Sequence, residues 1–115
     1  MNTLEANDLR RSMPRFLGEA HVANLKVQAA YNAIARDAGC TPAQLALAWL
    51  LHKAPHVIPI PGTGNIAHLR EDMAADAVQL SVEVLARLES TVNTHTVVGS
   101  RYTEQANREV DTEPL

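Results

Sequence analysis

Apolar residues recur at helical spacing along the first third of the chain. Val27, Ala30, Tyr31, Ile34 and Ala38 fall on one face of a helix predicted over residues 22–38. Gly39 stops that helix, because a left-handed cap suits a residue without Cβ. Thr41-Pro42 then starts a second helix. The hydroxyl caps a free amide, and proline sits where no amide partner is needed. The body of this helix, AQLALAWLL, is apolar nearly all round, with Ala43, Ala46, Leu47 and Leu50 on one side and Leu45, Ala48 and Trp49 on another. A helix without a polar face needs protein on every side. A chain of 115 residues has little to surround it with, which implies missing neighbours.

The pattern changes after Pro55. Residues 57–60, VIPI, are a short apolar run, and a strand is predicted over 56–60. Pro59 and Pro61 withhold ladder donors, so it pairs incompletely. Residues 96–99 are a weaker second candidate. A helix is predicted over 66–75, then an extended piece over 78–80. Ser81 caps a last helix over 82–92, with Val84, Leu85, Leu88 and Val92 facing inward. Residues 1–21 read as a loop carrying Arg10, Arg11 and Arg15, and residues 93–115 as a polar tail, mobile or extended. Helix, strand and helix follow one another over residues 41–75, the order found in one sector of an α/β barrel.

Composition narrows the class. Hydrophobic residues at 46% exclude wholesale disorder, and aromatics at 3% favour closely packed helices over a sheet. Net charge is −3 and no basic stripe is visible, which excludes nucleic acid as a partner. TPAQLALAWLL superficially looks like the first helix of a helix-turn-helix, and the same acidic balance argues against that reading. The N-terminus has no apolar signal core, and no run is long enough to span a bilayer, so no membrane partner is expected. The single cysteine, Cys40, excludes an intrachain disulfide and fits a reducing, cytoplasmic setting.

Candidate chemistry concentrates in residues 56–73, HVIPIPGTGNIAHLREDM. A strand-to-helix junction there presents bare backbone N–H groups at a helix N-terminus, which suits a phosphate. An ordinary strand-to-helix turn is the alternative from spacing alone. Gly62 and Gly64 lack the spacing of a dinucleotide fingerprint. His52 and His56 are separated by the helix-breaking Pro55, so no metal pair is predicted. Cys40 is either a thiol activated by the neighbouring helix terminus or a small packed side chain. Glu71 and Asp72 are adjacent and point to different sides, which is no acid/base pair.

The runs GCTPAQLALAWLLHKAPHVIPIPGT, HLREDMAA and QLSVEVLARLES, in that order, closely resemble the C-terminal part of the aldo-keto reductases. DLRRSMPRF upstream and GSRYTEQANREVDTE downstream also look like that family, so the likeness covers nearly all of residues 1–115. It implies a C-terminal fragment of a (β/α)8 TIM barrel, about the last third, which as an isolated chain is mostly α-helical with one short strand. It also implies NADP or NAD as cofactor and an oxidoreductase that reduces carbonyls by hydride transfer.

The candidate cofactor contacts implied by the resemblance are Gly62, Thr63, Gly64, His68, Glu71 and Asp72. Gly62 and Thr63 stand where most members have Lys and Ser, as in the branches with Gly-Thr, and would offer amides and a hydroxyl to the adenosine phosphate. His68 stands at the family's Arg, flanking the adenine or 2′-phosphate. Glu71 and Asp72 stand at its Glu and Asn, facing the adenine. The missing Lys and Arg, with the added carboxylate of Asp72, leave NADP against NAD open.

The family's catalytic Asp, Tyr, Lys and His belong to earlier strands, and Tyr31, Tyr102, Lys26 and Lys53 lie in the wrong context to replace them. No catalytic residue is assigned, and this chain alone is expected to be inactive. Cofactor and carbonyl substrate are expected to bind only if the missing part is supplied, the chain being a truncated or mis-started reading frame or a gene remnant. The competing expectation is a non-catalytic helical interaction module that self-associates through exposed apolar helices.

Overall fold

All the regular structure among the described residues is helical. The α-helices are α1 (Gly18–Asp37), α2 (Pro42–Lys53), α3 (Ile66–Met73), α4 (Val82–Thr91) and the short α5 (Glu104–Asn107), with 3-10 turns at Leu9–Arg11, Pro14–Phe16 and Ala74–Ala77. The computed structural model describes residues 4–110, so the outer ends of the expected loop 1–21 and tail 93–115 lie outside the described residues. Two units divide the chain, one made of Met1–Ala29 with Val92–Leu115 and the other of Ala30–Thr91.

The unit Ala30–Thr91 holds the core. Ile34, Ala35, Leu45, Ala48, Leu80 and Leu88 are buried together, with Tyr31, Ala38, Cys40, Trp49, Val78, Val84 and Leu85 packed against them. Each fully buried Leu or Ile contributes roughly 1.5–3 kcal/mol by leaving water. The junctions between helices are closed by hydrogen bonds. At the end of α1, Gly39 takes a φ of 72°, while its amide donates to Arg36 O and that of Cys40 to Ala35 O. This is the paired closure that a left-handed residue permits. Thr41 then forms a reciprocal cap with Gln44: Gln44 N–H donates to Thr41 Oγ1 (3.2 Å) and Thr41 N–H to Gln44 Oε1 (3.1 Å). Gln44 Nε2 also donates to Glu71 O (3.0 Å), which ties α2 to α3. Ser81 caps α4 as expected, accepting from Val84 N–H at 3.2 Å.

The nearly all-apolar α2 buries one side only. Leu45 and Ala48 are buried, Leu47, Trp49 and Leu50 are half-buried, and Ala43 and Ala46 are exposed. Lys53 lies over the Trp49 ring at 4.6 Å and pairs with Glu89 at 2.6 Å, while Arg87 pairs with Asp37 at 3.0 Å. Such exposed pairs contribute little each.

The expected strand at 56–60 is not formed, and neither is the weaker one at 96–99. Residues 57–65 run irregularly, with Ile58 81% and Ile60 93% exposed. A strand is a property of a pair, and Pro59 and Pro61 lack the N–H that a ladder uses. Among the described residues no strand or bridge forms with this run, so its ladder positions remain unpaired.

In the unit of Met1–Ala29 with Val92–Leu115, α1 starts at Gly18 rather than at residue 22. Asp8 caps the first 3-10 turn through Arg10 N–H (2.9 Å), and its side-chain hydrogen bonds from Arg10 hold its carboxyl down at about 2. Asn24 bonds to Arg15 O and to both backbone groups of Val98. Asn93 Oδ1 turns the chain by accepting from the amides of His95 and Thr96.

Candidate functional site

The loop from Pro61 into α3 is where the sequence placed cofactor chemistry, and every residue from 61 to 70 is exposed. The amides entering α3 are not bare. Asn65 is the N-cap, and its Oδ1 accepts from Ala67 N–H (2.8 Å) and His68 N–H (3.3 Å). Thr63 Oγ1 in turn accepts from Asn65 N–H at 3.1 Å. The expectation of bare donors is therefore corrected: the helix dipole remains, while two of the amides it would present are already satisfied by a side chain. The sequence carried this signal, since Asn directly before an apolar helical run is a strong cap.

The six candidate residues fall into two groups. Gly62, Thr63 and Gly64 lie together on the exposed loop. His68 lies one turn before both Glu71 and Asp72 on α3, while Glu71 and Asp72, being adjacent, diverge from each other. His68 is exposed, while Glu71 and Asp72 are half-buried. Glu71 is fixed through its carbonyl by Gln44, so α2 sets the depth of that side. The Gln44 contribution escaped sequence reasoning, because its partner is 27 residues away.

The six candidates carry one hydroxyl, one imidazole and two carboxylates. The Thr63 hydroxyl is exposed but engaged with Asn65, accepting from its N–H at 3.1 Å and donating to its O at 3.4 Å, whereas the exposed glycine backbone can approach a phosphate closely. None of the six candidates is Lys or Arg, and two of them are carboxylates. A 2′-phosphate would therefore meet negative charge from Glu71 and Asp72 without a fixed cation among these residues.

Other candidate positions resolve quietly. His52 Nδ1 lies 2.7 Å from Ala48 O inside α2, and His56 sits in the turn beyond its end. Among the described residues, no group of three or more His, Cys, Asp or Glu is placed to hold a metal ion. Of the two readings of Cys40, the structure favours the packed one, since it lies half-buried against the core, where burial pushes its thiol up. Among the described residues, no helix is long and apolar enough to cross a membrane.

The sequence model of the family described as Aldo/keto reductase family matches residues 2–93. Pyridoxine 4-dehydrogenase of Escherichia coli (strain K12) is 54% identical to this chain over 56 residues. That match covers 49% of this chain and 20% of the length of that protein.

Proposed function

The chain belongs to the aldo/keto reductase family, and from that premise we propose that it supplies the adenosine-end cofactor contacts of an NAD(P)H-dependent carbonyl oxidoreductase. The observation that carries this reading is the 54% identity to a dehydrogenase of the family. In this reading the chain corresponds to the C-terminal portion of the barrel. Residues 57–60 are then the last barrel strand, unpaired for want of its neighbours, and α2 and α3 are outer helices.

Gly62, Thr63 and Gly64 would hold the adenosine phosphate of the cofactor, with His68, Glu71 and Asp72 beside the adenosine. Bound there, the dinucleotide supplies a hydride for a carbonyl carbon. The chain's own residues bind and orient it, and none of them is assigned to donate the proton. Binding without a proton donor does not lower the barrier to hydride transfer, so this chain alone is inactive. Cofactor and carbonyl substrate engage only when the rest of a barrel is supplied. The tail then borders the substrate. The exposed apolar residues of the unit Ala30–Thr91 support self-association as its behaviour in isolation.

A segment exchange tests the reading. The 56 matched residues of this chain replace their counterpart in the Escherichia coli pyridoxine 4-dehydrogenase. The expected chimera folds and keeps the dehydrogenase activity of its parent to within about tenfold, a loss equivalent to roughly 1.4 kcal/mol. The isolated 115-residue chain should oxidise NADPH with an aldehyde no faster than buffer does. A folded chimera that binds no dinucleotide, or an isolated chain that turns over, would sink the proposal.

A further inference from the structure

We infer that residues 97–107 form a strap latched at one place, by Asn24 together with Arg15, and that the strap opens as a unit when the latch is released. Asn24 stands on α1 and reaches a partner 74 positions away in sequence. Its carboxamide donates to Val98 O (2.8 Å) and accepts from Val98 N–H (2.8 Å), a two-point pairing with one residue's backbone. The same Nδ2 donates to Arg15 O (3.1 Å), and Arg15 Nε donates to Gly99 O (3.0 Å). Arg15, Asn24 and the strap are thus knotted through one amide and one guanidinium.

Gly99 is required at the knot. Its φ is +90°, and a Cβ there would stand 3.3 Å from Arg15 N and 3.4 Å from Ala20 Cβ. A side chain would therefore be strained by the backbone and crowded by the neighbour it must approach.

The latch carries more than its share because little else holds the strap. No residue from 92 to 110 is fully buried, and within the strap only Val97, Tyr102, Thr103 and Ala106 are half-buried. Among the described residues, the strap's other hydrogen bonds are local: Asn107 Nδ2 donates to Ser100 Oγ (2.6 Å) and Tyr102 O (3.3 Å), and Thr103 Oγ1 accepts from Ala106 N–H (3.3 Å). These bonds bind the strap to itself. A segment that is internally tied but anchored at one place opens as one cooperative piece. The inference stands without the reductase reading. Within that reading, the strap is the segment that borders the carbonyl substrate, and Asn24 becomes a positioning residue for it.

The test is amide exchange, followed by NMR, on the full chain and on Asn24→Ala, with trypsin cleavage after Arg101 as a second readout. The amides of Val98, Ala106 and Asn107 should exchange at one common rate in the native chain. In Asn24→Ala all three should exchange at least tenfold faster, since three hydrogen bonds are lost and one alone has a net effect of about that size. Cleavage should accelerate by the same factor, and the Leu45 amide should not change. If Asn24→Ala loses protection at Leu45 and so fails to fold, Gly99→Ala opens the latch from the strap side and leaves α1 intact. The inference is overturned if Val98 exchange and Arg101 cleavage stay within twofold of the native chain in a folded variant. It is overturned equally if the three native amides exchange at unrelated rates.

Discussion

Single residues set the ends of helices here, and those residues were legible because a cap is a local contract between near neighbours. Gly39, Thr41 and Ser81 were each identified from a few residues of context, and each caps as expected. Tyr31 was legible only as part of an apolar face. Its hydroxyl donates to Pro42 O, and burial, then the neighbouring Cys40, push its pKa up from 10.0 to about 12. The folded state therefore keeps the phenolic proton more tightly than the unfolded chain does. The associated stability is fully present below pH 10 and is lost as the pH rises toward 12. Urea midpoints measured from pH 9 to pH 12 should fall across that window in the native chain. In Tyr31→Phe the same fall should be absent, apart from a background common to both proteins. Parallel curves would show that the hydroxyl is not the group responsible.

Helices and strands differ in what a sequence can reveal about them. A helix satisfies its own backbone, so α2, α3 and α4 follow from caps and periodicity with ends shifted by a few residues. A strand needs a neighbour, and β-branched residues at 57–60 say nothing of whether one is present. Asn24 and Gln44 escaped for the same reason, since each acts on a backbone group far along the chain. The entry to α3 is the instructive case, because its signal was present and local. Asn65 accepts from two of the amides that a phosphate at this helix terminus would need. Asn65→Ala removes that cap while leaving the core untouched. It should cost about 1 kcal/mol of stability, read as a lower urea midpoint with an unchanged slope. No change in the midpoint would mean that water serves those amides equally well.

At the scale of the whole molecule, what matters is where apolar surface is left over. In the unit Ala30–Thr91, Ile58, Ile60, Ile66, Met73 and Val82 are all well exposed, against a core of six buried residues. Scattered exposed apolar residues are ordinary. Here Ile58, Ile60 and Ile66 fall within nine consecutive positions, on or beside a loop that lacks the ladder partners its sequence suits. Burying roughly 100 Å² of apolar surface on each Ile is worth about 2–3 kcal/mol, so association would offset its own entropic cost with only a few such residues. A net charge of −3 opposes this weakly and is screened at physiological salt. Sedimentation velocity on the isolated chain, across a hundredfold range of concentration, should show a species heavier than 12.5 kDa that grows with concentration. The double variant Ile58→Asp with Ile60→Asp should move that distribution toward monomer, because each new carboxylate would have to lose its water on contact. These substitutions lie outside the buried core, so the helical signal should be unchanged. A native chain that stays monomeric throughout the range would defeat the association argument. It would leave the family membership intact, since that rests on the family model matched over residues 2–93.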